Sequence, residues 1–197
     1  MYVVFDTETT GLPKNKWAPA SDFENWPRIV QLAWAAYDAQ GRLTAAESHI
    51  VRPDGFTIPD DATRVHGIST AQASRDGRDV REVLELFAVV IRGAEILVSH
   101  NMEFDENVLA AETYRIGLPI DLQSKMRVCT KVTSTAYCQI PGQYGFKWPK
   151  LSELNAKLFG RELLHAHDAA ADVAACAECF FELKRLGVIR IKGKESV

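Results

Sequence analysis

The chain lacks long apolar runs, cysteine clusters, a large net charge, internal repeats and low-complexity segments. Its longest apolar stretches, such as the three aliphatics between Glu95 and Ser99, fall far short of the roughly 20 residues needed to cross a bilayer. No charged leader or cleavage site precedes the first strand, which predicts neither secretion nor a membrane anchor and makes the expected location cytoplasmic. Four cysteines in 197 residues suit a reduced compartment. Cys176 and Cys179 have a C-x2-C spacing, but they lie in an Ala-rich helical stretch without a second matching pair, which disfavours a zinc or redox role. A formal charge of -3 argues against tracking along a duplex through many phosphates. It leaves room for an enzyme that grips only a strand end.

With 47% apolar residues, the chain can bury a substantial core and needs no second domain. Strand patterns come first: Tyr2 to Asp6, Ile29 to Tyr37 and Glu47 to Val51, with an irregular excursion from Pro13 to Pro27 and a turn at residues 38–41. Helix and strand patterns then alternate. Val80, Val83, Leu84, Phe87, Ala88 and Ile91 recur at helical spacing behind a capping Asp79, and Ile96 to Val98 reads as a short buried strand. Asn101 is placed to cap a helix that stops at Gly117, and a weaker strand lies around Arg127 to Cys129. Pro149 fits the first turn of a helix ending at Gly160, and a last helix runs from about Asp168 to Leu186. A meander followed by alternating helices and strands predicts a three-layer α/β fold on a mixed five-stranded sheet.

Against this background, five residues are out of place. Asp6 and Glu8 leave the same face of a strand whose other residues are apolar, so repulsion and desolvation penalise both carboxylates. A bound cation would relieve that conflict. Asp105 shares a helical stripe with Val108 and Leu109, the face that must pack on the sheet. The alternative for Asp105 is a favourable place near the helix N-terminus. His167 and Asp172 would not share a face of one regular helix. With Asp168 as the cap, His167 is free to fold back from the preceding loop towards a site that Asp172 enters, while the surrounding alanines let that helix approach the sheet. The alternative is that Asp168 and Asp172 merely solvate a helix start and His167 is a surface residue.

Taken together, four carboxylates at one sheet edge, with no cysteine or histidine cluster, suit Mg²⁺ or Mn²⁺. Two such ions roughly 3.5 to 4 Å apart serve in-line displacement at phosphorus, and a mobile histidine beside them suits a general base.

Phe5-Asp6-Thr7-Glu8-Thr9-Thr10-Gly11-Leu12, His100-Asn101-Met102-Glu103-Phe104-Asp105 and His167-Asp168-Ala169-Ala170-Ala171-Asp172 resemble, in order, the three motifs of the DEDDh exonuclease family. That group contains the proofreading epsilon subunit of bacterial DNA polymerase III, RNase T and the TREX enzymes. The resemblance implies a ribonuclease H-like fold spanning 1–197 as one exonuclease domain, with a short irregular tail from about residue 188. It also implies 3′-to-5′ release of nucleoside 5′-monophosphates from single-stranded DNA or RNA ends, with a DNA polymerase as a candidate partner. Carried over by position, Asp6, Glu8, Asp105 and Asp172 would hold two divalent ions, Mg²⁺ or Mn²⁺, and His167 would act as general base.

Val65-His66-Gly67-Ile68-Ser69 resembles the family's nucleotide-contacting stretch, and Asp61 stands where many members place a glutamate near the terminal ribose. Leu12 matches a residue that wedges against the terminal base, and Asn101 and Phe104 are candidates for substrate contact. Without the resemblance, Leu12 and Phe104 would read as core and His66 as a turn histidine. The competing readings are a catalytically weak nucleic-acid-binding module of the same fold and an oligoribonuclease-like RNA trimming enzyme.

Overall fold

The structure, a computed structural model, describes residues 1–163 and 168–191. His167 therefore lies outside the described residues.

The elements, in chain order, begin with strands β1 (Tyr2–Thr9), β2 (Ile29–Tyr37) and β3 (Leu43–Ile50). Helices α1 (Asp60–His66), α2 (Thr70–Asp76) and α3 (Val80–Gly93) follow, then β4 (Ile96–Ser99), α4 (Met102–Ile116) and β5 (Met126–Cys129). Two single-turn helices come next, α5 (Thr130–Thr133) and α6 (Thr135–Cys138), and then a two-residue hairpin, β6 (Pro141–Gly142) and β7 (Gly145–Phe146). The last helices are α7 (Leu151–Phe159) and α8 (Ala169–Arg185). The main sheet has five strands in the order β3-β2-β1-β4-β5. β1 pairs antiparallel with β2 and parallel with β4, and β5 extends the parallel half. This is the expected three-layer α/β arrangement on a mixed sheet.

Strand alternation divides the core in two. Val3 and Phe5 of β1, Leu32, Trp34 and Ala36 of β2, and Leu97 of β4 meet α3 and α4 on one face. Tyr2, Val4, Ala33, Ala35, Ile96 and Val98 meet α7 and α8 on the other. The first face holds the large rings: Phe87 of α3 lies 5.5 Å from Phe5 and 5.4 Å from Trp34 between ring centroids, contacts worth about 0.5–1.5 kcal/mol each beyond area burial. The second face presents the small Ala33 and Ala35 to α8. The close approach of α8 thus depends on small residues on both sides, with Ala169 and Ala175 of the helix buried and Ala170 and Ala174 exposed. The alanine run around Asp172 therefore contributes only in part.

Other boundaries differ from the sequence expectation for local reasons. β3 begins at Leu43 rather than Glu47 because it is an exposed edge strand whose residues carry little hydrophobic pattern. Pro149 precedes the N-cap Lys150 rather than entering the first turn of α7. α1 and α2 went unforeseen because seven residues are too few to show a helical period; their Ala62 and Ala73 pack with Val30, Ile58 and Ile68 in a small satellite cluster. After α8, residues 188–191 are irregular, with the Val188 and Ile189 amides bonded back to the Leu183 carbonyl and Ile189 buried. Among the described residues, no helix is long and apolar enough to cross a membrane.

The excursion between β1 and β2 is internally bonded. Asn25 links both ways with Asn15, at 2.7 and 2.9 Å. The Arg115 guanidinium donates to the carbonyls of Phe23, Trp26 and Pro27. Beneath it, the fully buried Glu112 pairs with Arg28 at 2.8 Å and Arg115 at 3.1 Å and also accepts the Ile29 amide. A buried carboxylate held by two guanidiniums resists rearrangement, because removing any partner leaves a buried charge uncompensated.

Candidate active site

The parallel strands β1, β4 and β5 end at the same edge of the sheet. The ladder from β1 to β4 stops at Val4↔Val98, whereas the ladder to β2 continues through Asp6↔Ala33 and Glu8↔Gln31. Beyond Val4, then, β1 projects past β4, and the crevice formed there is the usual ligand position in an open α/β sheet. Asp6 and Glu8 face the α8 side, and Asp172, in the first turn of α8, meets them. Oxygens from the three carboxylates all lie within 4.8 Å of one another.

Asp105 arrives from the opposite layer. Only 2% of it is exposed, and α4 carries it beside Val108 and Leu109, as its stripe predicted. Thr7, whose side chain points opposite to those of Asp6 and Glu8, donates to Asp105 Oδ1 at 2.7 Å. Ser99, the last residue of β4, donates to Oδ2. Elsewhere on α4, Glu103 is exposed, whereas Glu106 ties the helix to β5 through Arg127 at 2.8 Å.

The cost of this crowding appears in the proton affinities. Burial, followed by the charges of Asp105, Asp172 and Glu8, holds the Asp6 carboxyl well above the usual range. Burial and then Asp172, Asp105 and Asp168 push Glu8 up to about 8. Asp105 is raised by burial to about 6, with the Ser99 and Thr7 hydrogen bonds and the Lys131 charge opposing the rise. Such a cluster binds either protons or cations. With only carboxylate oxygens as donors, it could hold a hard divalent ion.

Four residues with positioning contacts, Gln31, Thr7, Ser99 and Lys131, were not read from the sequence. Gln31, a lone amide in an apolar strand and paired in register with Glu8, accepts the Ala169 amide at 3.2 Å and donates to Ser48 at 3.0 Å. It thereby fixes the start of α8, where Asp168 also caps by accepting from Ala170 and Ala171 at 2.9 and 3.1 Å. An uncharged polar residue at a buried strand position was the available signal. Thr7 and Ser99 gave no comparable signal, since hydroxyls are common at strand ends. Lys131 donates to Asn101 Oδ1 at 2.8 Å, so Asn101 occupies the N-cap position of α4 without capping through its side chain.

The predicted substrate contacts separate into two groups. Gly11, at φ +142°, turns the chain out of β1 and leaves Leu12 83% exposed, so Leu12 is not core. Leu12 lies on the ridge between two clefts: one also lined by Asn101 and Phe104, the other by Asp61, Arg28 and Phe56. Phe104 is half-buried against the first core. Val65 is exposed and His66 is buried at the end of α1, where its Nδ1 accepts the Ile68 amide at 3.1 Å. Neither lines the cleft that holds Asp61.

Known proteins resemble this chain in sequence and in fold. Residues 3–180 match the family model described as an exonuclease (RNase_T). A DNA polymerase III PolC-type of Caldanaerobacter subterraneus subsp. tengcongensis is 28% identical over 197 residues, all of this chain but 12% of that protein. A DNA polymerase III subunit epsilon-like protein of Rhodobacter capsulatus is 38% identical over 122 residues, 61% of this chain and 16% of that protein. The chain thus spans less than a fifth of the length of these relatives. Its fold is that of E. coli exonuclease I in complex with a dT13 oligonucleotide, with a TM-score of 0.74 at 21% identity, covering 94% of this chain and 42% of that one. The zinc-bound exonuclease I–single-stranded DNA complex superposes similarly, with a TM-score of 0.72 at 22% identity over 94% of this chain and 40% of that one. The match over residues 3–180 and the ribonuclease H-like fold place this chain in the exonuclease family, among its DEDDh-type 3′-to-5′ members.

Proposed function

We propose that this chain hydrolyses phosphodiester bonds stepwise from the 3′ end of a single strand, releasing nucleoside 5′-monophosphates. The observation that carries the reading is the meeting of Asp6, Glu8 and Asp172 within 4.8 Å, backed by a buried Asp105 aimed by two hydroxyls. These four carboxylates would hold two divalent cations, Mg²⁺ or Mn²⁺. When bound, such ions supply charge stabilisation for in-line displacement at phosphorus.

The chain's own residues prepare for that chemistry. Thr7 and Ser99 hold Asp105 in one orientation and keep its carboxylate available as a ligand, with Lys131 favouring its charged form. Gln31 and Asp168 hold the first turn of α8, and hence Asp172, at the sheet edge. Leu12, raised on its ridge, would wedge beside the terminal base, with Asp61 near the ribose on the far side. His167, outside the described residues, would accept the proton of the attacking water as its oxygen bonds to phosphorus. The bond from phosphorus to the 3′ oxygen then breaks, leaving a 5′-monophosphate and a strand shorter by one nucleotide.

Single-stranded DNA is the favoured substrate, because the exonuclease I structures of the same fold hold DNA oligonucleotides. A DNA polymerase remains the candidate partner, since the sequence relatives are a polymerase III PolC-type and an epsilon-like protein.

The test is digestion of 5′-labelled and 3′-labelled single strands and blunt duplexes, of DNA and of RNA, with Mg²⁺ and with Mn²⁺. A ladder shortening from the 3′ end is expected. It should be lost reversibly in EDTA and lost in Asp6→Ala and Asp172→Ala, with His167→Ala slower by about 10² to 10⁴. Hydrolysis that persists in EDTA would overturn the metal-dependent reading.

A further inference from the structure

Trp17 and Trp148 are separated by 131 residues in sequence, yet both rings line one cleft of about 450 Å3 that also contains Leu12 and Phe104. Trp17 is 77% exposed and Trp148 is 60% exposed, which leaves two large apolar surfaces in water beside the proposed catalytic edge. Each ring carries a cation: Lys16 Nζ lies 4.6 Å from the Trp17 centroid, and Lys131 Nζ lies 4.5 Å from that of Trp148. Lys14 adds a third positive charge to the lining, against one acidic side chain, Glu103. The loop bearing Trp17 is held in shape by Asn15, Asn25 and the Arg115–Glu112 pair, so its ring is presented on an ordered support.

Aromatic faces interleaved with lysines match the chemistry of a single-stranded nucleic acid, whose bases stack while its phosphates are neutralised. We infer that this cleft binds the bases and phosphates of the strand upstream of the terminal nucleotide, with Trp17 and Trp148 as stacking platforms. The inference rests on the exonuclease reading, and it deepens that reading by naming a second subsite and a preference for unpaired strands of several nucleotides. Continuity with the reaction centre supports the placement. Phe104 lines the cleft and is followed directly by Asp105, while Lys131 joins the cleft wall to Asn101. A paired strand would hide its base faces from both rings.

Two measurements test this. The first is the binding of 5′-fluorescein oligothymidylate by anisotropy in EDTA, which needs no turnover. The second is steady-state hydrolysis of the same oligomer alongside the p-nitrophenyl ester of thymidine 5′-monophosphate, which has no upstream nucleotides. Trp17→Ala and Trp148→Ala should each raise Kd and KM for the oligomer by about tenfold while leaving kcat and ester hydrolysis within about twofold. Trp17→Phe and Trp148→Phe should restore most of the affinity, because a ring remains, and Lys16→Ala should flatten the salt dependence of binding. Unchanged oligomer affinity, or equal losses on oligomer and ester, would each overturn the proposal. Failure of the wild-type protein to hydrolyse either substrate would instead overturn the exonuclease reading and leave the anisotropy result to judge the cleft.

Discussion

Thr7 and Asp105, 98 residues apart, are joined by a buried hydrogen bond of 2.7 Å that runs between the first strand and a helix of the opposite layer. The threonine sits between two carboxylates of the candidate site and spends its own hydroxyl on a third. Alternation in the strand makes this work: Asp6 and Glu8 face α8, so Thr7 must face α4.

Replacing Thr7 with valine keeps the volume but removes the donor. Asp105 then retains the Ser99 contact and loses one of the bonds that oppose its raised proton affinity. The half-saturating Mg²⁺ concentration should rise by about 10- to 100-fold, as for other residues that orient ligands. Activity at acid pH should fall more than activity at pH 8. A metal titration of hydrolysis at several pH values checks this, and identical curves for variant and wild type would remove Thr7 from the site.

The Glu8 carboxyl, pushed from its ordinary 4.5 to about 8, makes the metal-free fold sensitive to alkali. The folded state keeps this proton where the unfolded chain has already released it. The stability it contributes is therefore complete below about pH 4.5 and is lost progressively as pH rises towards 8. In EDTA the wild-type melting temperature should fall across that window, and Asp6 acts in the same direction. Glu8→Gln should melt about 5 °C or more above wild type at pH 8 in EDTA, match it near pH 4.5, and lack activity. Mg²⁺ should raise the wild-type melting temperature more than that of the variant. A wild-type melting temperature that climbs from pH 5 to 8 in EDTA would contradict this account.

Gln31→Leu should leave the sheet packed while freeing the Ala169 amide. We expect a loss of about 1–3 kcal/mol in stability, faster hydrogen exchange at Ala169, and roughly tenfold lower kcat, because Asp172 shares the loosened turn. Unchanged exchange at Ala169 together with unchanged kcat would show that Asp168 alone holds the helix start.

The residues that were legible in the sequence share one property: each violates its local context. Asp6 and Glu8 interrupt a buried strand, and Asp105 lies on an apolar stripe. The periodic helices α3, α4 and α8 were equally legible, because 14 to 17 residues give several turns of repeated pattern. Short elements such as α1, α2 and the β6-β7 hairpin carry too few residues for a period to emerge. Hydrophobicity alone would mark Leu12 as core, but the turn at Gly11 lifts it into solvent.

By itself, the sequence determined the three-layer α/β class, the identity of the acidic groups and the reaction class they suit, because those depend on periodicity and on carboxylates placed where burial penalises them. The tertiary structure alone decided that Thr7 and Ser99 aim Asp105, that Gln31 anchors the start of α8, and that Trp17 and Trp148 share one cleft. Apart from Ser99, six residues before Asp105, these contacts pair residues distant in the chain, through hydrogen bonds or surfaces that come together only when the chain folds.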